Sequence, residues 1–226
     1  MATTRHHSRR SSPVAGTPLV KVVEVGVNTK MFKKLAIQAQ NGQGVRKDYR
    51  AAFRYWKVAA EGGDADAQFS VGAYLQEGVG TAKNLEDAVE WYRKAAKQNS
   101  AEGQYALGVC YAEGLGVKKS PARAAKLFSL AAEQGDADAE YALGMSYRYG
   151  RGVEKNHLQA FQWLMKAAHK GVAEAQFSVG LCFSHGEGVS RDIEKAKEWY
   201  RKAARKGDDD AKHNLKLLRE KHLKSA

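Results

Sequence analysis

The sequence predicts an all-α solenoid, in which short helical hairpins stack along one axis. Two glycine columns recur at a constant spacing of 36 residues, without insertion or deletion. The columns are Gly42, Gly78, Gly114, Gly150 and Gly186, and then Gly44, Gly80, Gly116, Gly152 and Gly188. Between these G-x-G turns, apolar residues recur at intervals of three and four, which is the spacing of one helical face. A fixed period of this length is typical of units that bury their apolar faces against one another.

The period divides the chain into five helix-turn-helix units. Their boundaries are 28–63, 64–99, 100–135, 136–171 and 172–207. Each first helix begins after an N-cap position, followed by a small residue, a Leu or Val, and the glycine turn. The N-cap column reads Asn28, Asp64, Ser100, Asp136, Val172 and Asp208. All of these except Val172 carry a side chain that caps a helix, so the sequence predicts a start signal for every first helix but one.

Each second helix also has a start and a stop signal. Its predicted N-caps are Asp48, Asn84, Ser120, Asn156 and Asp192. Its predicted C-terminal residues are Gly63, Asn99, Gly135, Gly171 and Gly207, which best tolerate left-handed backbone. Small alanines alternate with a bulky column between these ends, which predicts close packing of the two helices of a unit. The bulky column is Tyr55, Trp91, Leu127, Trp163 and Trp199.

Both ends of the chain depart from the repeat. Residues 1–27 lack the period, and their basic, Ser-rich first part predicts a disordered tail. The apolar stretch 19–27 is expected to pack as an extended strip over the open face of the first unit. Residues 208–226 begin like a sixth first helix, but Lys216 replaces the glycine and no turn follows, which predicts a polar capping helix.

The repeat resembles a known family. The pattern A-x-x-x-L-G-x-x-Y-x-x-G-x-G-V, followed by A-x-x-W-Y-x-K-A-A-x-x-G, is similar to the Sel1-like repeat, a relative of the tetratricopeptide repeat. Residues 102–117 and 194–207 carry it best, whereas Thr81 replaces the usual valine of the turn and Ala36 and Ala39 replace glycine and tyrosine in the first unit. The resemblance implies a right-handed α/α superhelix that serves as a scaffold or adaptor and has no chemistry of its own.

The net charge of +12 is unevenly distributed. The excess of Lys and Arg lies in residues 1–60 and 212–226, so a basic end is a candidate to meet nucleic acid, an anionic membrane surface or an acidic partner. Nucleic acid is disfavoured because aromatic and basic residues do not interleave as in a base-stacking surface. No apolar run reaches the ~20 residues that span a membrane. We expect a cytoplasmic protein, with a mitochondrial location as the alternative, since a transit peptide shares the composition of the tail.

Catalytic and metal sites are not predicted. The seven histidines fall at unrelated positions of the repeat, and no nucleophile, base and orienting group share a spacing, so we expect no enzyme, no metal and no cofactor. Cys110 and Cys182 lie two whole units apart, about 20 Å for packed helices, which is too far for a disulfide. That is consistent with a reducing compartment.

Function is therefore expected on the concave surface lined by the first helices. By analogy with tetratricopeptide repeats, the exposed columns are aromatic and acidic. They comprise Phe69, Tyr105, Tyr141 and Phe177, and Asp66, Glu102, Asp138, Glu174 and Asp210. Residues that no column demands are candidates for partner specificity, namely Met145, Arg148, Tyr149, Leu181 and His185. The acids have a simpler interpretation as first-turn charges that complement the helix dipole, and the aromatics as packing between units.

Two functions remain open on the sequence. The first is a protein-interaction scaffold that grips a peptide or partner protein carrying basic residues. The second is a structural subunit of a larger assembly, mitochondrial or ribonucleoprotein, anchored by the basic ends.

Overall fold

The computed structural model describes residues 28–44 and 46–225, and the side chains up to residue 218. Within these residues there are eleven α-helices and no strand. The first helices of the five units and the terminal helix are α1 (Thr29–Asn41), α3 (Ala65–Glu77), α5 (Ala101–Glu113), α7 (Ala137–Tyr149), α9 (Ala173–His185) and α11 (Asp209–Ser225). The second helices are α2 (Tyr49–Glu61), α4 (Leu85–Lys97), α6 (Pro121–Glu133), α8 (His157–His169) and α10 (Ile193–Arg205).

The helices stack as a solenoid, which confirms the predicted fold class. Every helix packs on the one before it and the one after it, and α3 also contacts α5 across a unit boundary. The alanines that recur in each second helix are almost completely buried, as are Val71, Leu143 and Val179 of the first helices. The apolar core therefore runs from unit to unit along the stack. The predicted tail and the strip at 19–27 lie outside the described residues.

The predicted N-caps are present with one exception. Asp48, Asn84, Asn156 and Asp192 each accept a hydrogen bond from a backbone N–H of the first turn. Ser120 occupies the same position, but its side chain makes no capping bond, so that prediction was wrong for α6. Pro121 follows it as the first helical residue and fixes φ there, which helps the helix begin without the cap. Val172, as predicted, does not cap α9.

The second glycine of each turn makes a close contact with the preceding unit. Gly80 has a φ of +69°, and a Cβ placed on it would overlap the carbonyl group of Tyr49 at the start of α2. Gly116, Gly152 and Gly188 meet Leu85, Pro121 and His157 in the same way. Gly44, in the first unit, has a similar φ of +72°, but a Cβ placed on it would have no atom of the described residues within 4 Å. This column thus serves both the turn and the contact between units.

A polar column that was not predicted from the sequence joins neighbouring units at the C-terminal turns of their second helices. Gln98 donates to the Gly63 carbonyl at 3.0 Å and to Gln68 Oε1 at 2.8 Å. Two units later Lys170 donates to the Gly135 carbonyl and to Glu140 Oε1, both at 2.7 Å. Each of these long side chains therefore connects its own first helix to the C-terminal turn of the unit before.

The two cysteines are free and buried, so the prediction that they do not pair is confirmed. Burial raises the pKa of both thiols to about 11. Cys110 and Cys182 therefore remain protonated in the folded protein at neutral pH and behave as small core residues.

Substitution of the turn glycines separates backbone strain from packing between units. We expect Gly44→Ala to lower the free energy of unfolding by about 1–2 kcal/mol, because alanine disfavours positive φ. Gly80→Ala has the same cost and must also displace α2, for which we expect a further ~2 kcal/mol. Urea denaturation followed by circular dichroism measures both, and equal losses would contradict the contact between units.

Thiol reactivity tests the burial of the cysteines. In the native protein at pH 8, we expect Ellman's reagent to label neither Cys110 nor Cys182 within minutes, because the thiolate form is scarce and the sulfur atoms are covered. In guanidinium both thiols should react at once. Fast native labelling of either residue would show that its unit opens readily.

Candidate binding face

The aromatic column of the first helices is half-buried and packs within its own units. The rings of Phe69 and Tyr92 have centroids 5.9 Å apart, and those of Tyr105 and Phe128 are 5.8 Å apart. Phe177 lies 5.6 Å from Tyr200 in the same arrangement. In the fourth unit the second helix carries Leu164 instead of an aromatic residue. The column therefore stabilises each hairpin and presents only part of each ring to the surface.

The acidic column lies beside the aromatic one. Asp66, Glu102, Asp138, Glu174 and Asp210 are all exposed. Only the first of them forms an ion pair with a basic side chain among the described residues: Lys33 Nζ lies 2.6 Å from Asp66 and 3.1 Å from Asp64. Lys33 occupies the position that is aromatic in the later units. In the first two units, the chain thus supplies its own cation to a pair of acids.

The equivalent acids two units later have no such cation. Asp136 and Asp138 correspond to Asp64 and Asp66, and Tyr105 stands in the place of Lys33. Burial raises the pKa of Asp136, and the charges of Asp138 and Glu102 raise it further. Burial also raises the pKa of the Tyr105 phenol, with a contribution from the same two aspartates. Throughout the described part of the chain, no Lys or Arg pairs with Asp136 or Asp138. The repulsion between these two carboxylates is therefore not offset by a nearby cation.

The five predicted specificity residues have different surroundings. Arg148 is buried and forms an ion pair with Glu187 at 2.9 Å, so its guanidinium group is already bound within the chain. Tyr149 is 51% exposed, with the guanidinium of Arg151 5.0 Å from its ring centroid. Leu181 is half-buried, and the exposed His185 has Nδ1 at 3.1 Å from the Leu181 carbonyl. The fifth residue, Met145, lies in a groove.

That groove lies between α5 and α7 and has a volume of about 680 Å³. Its floor is apolar and includes Phe128. Its walls bring together Tyr141 and Met145, both predicted from the sequence, with residues that were missed. The missed ones include Val109, Ala112, Ala124, Ala142 and Ser146. Glu113, Lys119 and Arg151 form a polar rim.

The groove results from the loss of one polar pair. In the first unit Trp56 donates its indole N–H to Gln40, in the second the Tyr92 hydroxyl donates to Gln76, and in the fifth Tyr200 donates to Ser184. The two partners are 16 residues apart in every case. In the third unit these positions hold Ala112 and Phe128, which have neither the hydroxyl nor the amide. The space that the amide fills in the second unit is therefore empty here and lined by carbon.

The described residues hold no group of three or more His, Cys, Asp or Glu side chains that could bind a metal ion. None of the described helices is long and apolar enough to cross a membrane. The candidate face presents apolar, aromatic and carboxylate groups.

These features define a helical-repeat protein with an acidic and aromatic face. The family model of the Sel1 repeat matches five consecutive segments, which are 34–64, 65–100, 101–136, 137–172 and 173–208. The chain belongs to the Sel1 repeat family. Proteins of this family are in general non-enzymatic scaffolds that bind other proteins.

Solved structures agree with this assignment. A Sel1 repeat protein from Oxalobacter formigenes shares 34% identity over 86% of this chain and 78% of its own, with a TM-score of 0.78. A protective antigen of uropathogenic Escherichia coli has 33% identity and a TM-score of 0.80, and the match spans 86% of this chain but only 42% of the antigen. An immunity protein from Pseudomonas aeruginosa, 21% identical with a TM-score of 0.53, shares the fold. No curated protein matches the chain in sequence.

The repulsion around Asp136 has a measurable consequence for stability. Asp136→Asn retains a capping side chain and removes the disfavoured charge. Because burial raises the pKa of Asp136 in the folded protein above its ordinary value, the wild type loses stability as pH rises from the pKa of the unfolded state through that of the native state. We expect the variant to be more stable than the wild type at pH 7, and the difference to vanish below about pH 3.

The matched control is Asp64→Asn. It makes the same change at the same helix position but removes a partner of Lys33, so we expect a small loss at pH 7, below about 1 kcal/mol. Urea titrations at pH 7 and pH 3 measure both variants. Equal effects at pH 7 would show that the two acid pairs do not differ in charge environment.

Proposed function

We propose that the chain is a protein-interaction scaffold that binds a segment of a partner protein along its first helices. The segment carries Lys or Arg side chains that lie against the acidic column. The observation that carries this proposal is the contact of Lys33 with Asp64 and Asp66, because it is an internal example of an ammonium group held by these acids. The later units repeat the acids without the lysine.

The packing of the helices supports the choice of this face. Among the described residues α3 and α5 contact each other, whereas no two second helices are comparably close. An approach of two first helices, as between α3 and α5, is expected on the inner side of a curved stack, where a partner segment can contact more than one unit. Such a surface is concave and continuous, as in other helical-repeat proteins.

The acidic column also complements a basic partner in charge. Its residues lie in the first turns of α3, α5, α7 and α9, where each carboxylate is stabilised by the helix dipole. Since no described Lys or Arg side chain pairs with the later acids of the column, a basic segment would supply their counter-charge. Such binding is expected to weaken with salt, because exposed charges are screened at physiological ionic strength.

The proposal is tested with charge-reversal variants in a pull-down from a cell extract. The triple variant Glu102→Lys, Asp138→Lys, Glu174→Lys reverses the acidic column of the later units. We expect it to lose those partners of the wild type whose binding falls as salt is raised from 50 to 300 mM. The measurement is quantitative mass spectrometry of the bound proteins.

The control variant is Glu86→Lys, Glu154→Lys, Glu198→Lys, which makes the same change in net charge at exposed positions away from the acidic column. It should retain the wild-type partners. Identical partner sets for wild type and both variants, at matched thermal stability, would contradict the proposed face. If binding requires residues 1–60 and not the acids, an assembly subunit anchored by its basic end is the better interpretation.

A further inference from the structure

We propose that the groove between α5 and α7 takes one large apolar side chain of an extended peptide, and that Asp136 and Asp138 take a Lys or Arg of the same peptide. This rests on the proposed function and adds the sequence of the segment that is recognised. The occupant is thus a protein segment with an apolar anchor and a basic residue at a defined distance.

The anchor site is chemically distinct from the rest of the face. The positions equivalent to Ala112 are Gln40, Gln76 and Ser184 in the units whose facing aromatic residue carries an N–H or O–H group, and each accepts a hydrogen bond from that group. In the third unit Ala112 and Phe128 leave a carbon-lined floor, and Met145 adds an adaptable wall. A buried Leu or Phe side chain in such a site contributes about a 10- to 100-fold gain in affinity.

The cation site is defined by the first units. Lys33 shows that two carboxylates spaced as Asp64 and Asp66 hold an ammonium group at 3.1 and 2.6 Å. Asp136 and Asp138 have the same spacing at the start of α7, two units after Asp64 and Asp66. Tyr105 occupies the position that corresponds to Lys33. An incoming Lys or Arg would therefore fill a position that is occupied elsewhere in the same molecule.

The distance between the two sites sets the peptide pattern. Asp138 and Met145 are seven residues apart on α7, which corresponds to about 10 Å along the helix axis. An extended peptide advances about 3.3 Å per residue, so the basic residue lies three or four positions from the apolar one. We therefore expect a spacing of three or four positions between the basic and the apolar residue of the bound peptide.

The test starts from a phage library of random twelve-residue peptides selected against the full chain. We expect the enriched peptides to share a Leu, Phe or Met with a Lys or Arg three or four residues away. Enriched peptides are then synthesised with a fluorescent label, and their dissociation constants are measured by anisotropy.

The decisive variant is Ala112→Gln combined with Phe128→Tyr. It installs the pair that the second unit already contains, in which Tyr92 donates to Gln76 at 3.2 Å, so the fold has room for it. We expect it to weaken peptide binding at least tenfold. Ala122→Gln places the same side chain at an exposed position of α6 and should leave binding unchanged.

A second variant addresses the cation site. Asp136→Asn with Asp138→Asn keeps the cap and removes both charges, and we expect it to weaken binding about tenfold and to abolish the salt dependence. Thermal melts confirm that each variant is folded. Equal binding of the peptides to the wild type and to the variant with Ala112→Gln and Phe128→Tyr would overturn this inference. A selection that enriches no peptide would also overturn it. The proposed function fails separately, if charge reversal of the acidic column leaves the pulled-down partners unchanged.

Discussion

The contact between a turn glycine and the start of the previous second helix is the constraint on which the stack depends. Gly80 approaches the Tyr49 carbonyl so closely that no side chain fits between them. The contact joins residues 31 positions apart, and Gly116, Gly152 and Gly188 repeat that separation. An insertion anywhere between the two partners would break the register of the turn on the helix. The period of 36 residues without insertion or deletion is thus explained by packing between units, and not only by the length of each hairpin.

The same constraint explains why the fold was predictable. Caps, left-handed glycines and small residues are local signals whose effect does not depend on the partner unit. Each signal recurs in the five units, which strengthens the prediction. Ser120 was the exception among the second-helix caps, because a proline at the next position also begins the helix and the bond is absent. The contact made by Gly80 was not foreseen, since both a turn and a close approach favour glycine and a single sequence does not distinguish them.

The candidate site was predicted only in part, for a physical reason. A recurring column identifies positions at which the same kind of side chain is retained. The groove instead arises where one unit has smaller or less polar side chains than the equivalent positions of the others. Tyr141 was predicted because it belongs to the recurring aromatic column, and Met145 because no column demands it, but Ala112 and Phe128 look like ordinary core residues. The signal that was available is a correlation at a separation of 16 residues, with Gln76 facing Tyr92 and Ala112 facing Phe128. It became interpretable once the hydrogen bonds showed what these positions do.

The contrast between the start and the middle of the acidic column supports the proposed recognition surface in the third and fourth units. In the first two units Lys33 neutralises Asp64 and Asp66, so a basic partner gains little there. In the third and fourth units, burial and the charges of Asp138 and Glu102 raise the pKa of Asp136. Asp136 and Asp138 also interact with the Tyr105 phenol. The apolar groove opens along the same two helices. Among the described residues, carboxylates that pair with no Lys or Arg therefore lie on the same helix as an open apolar groove. A single peptide with a basic and an apolar side chain would pair with the carboxylates and cover the groove, which supports the proposal of one occupant for both.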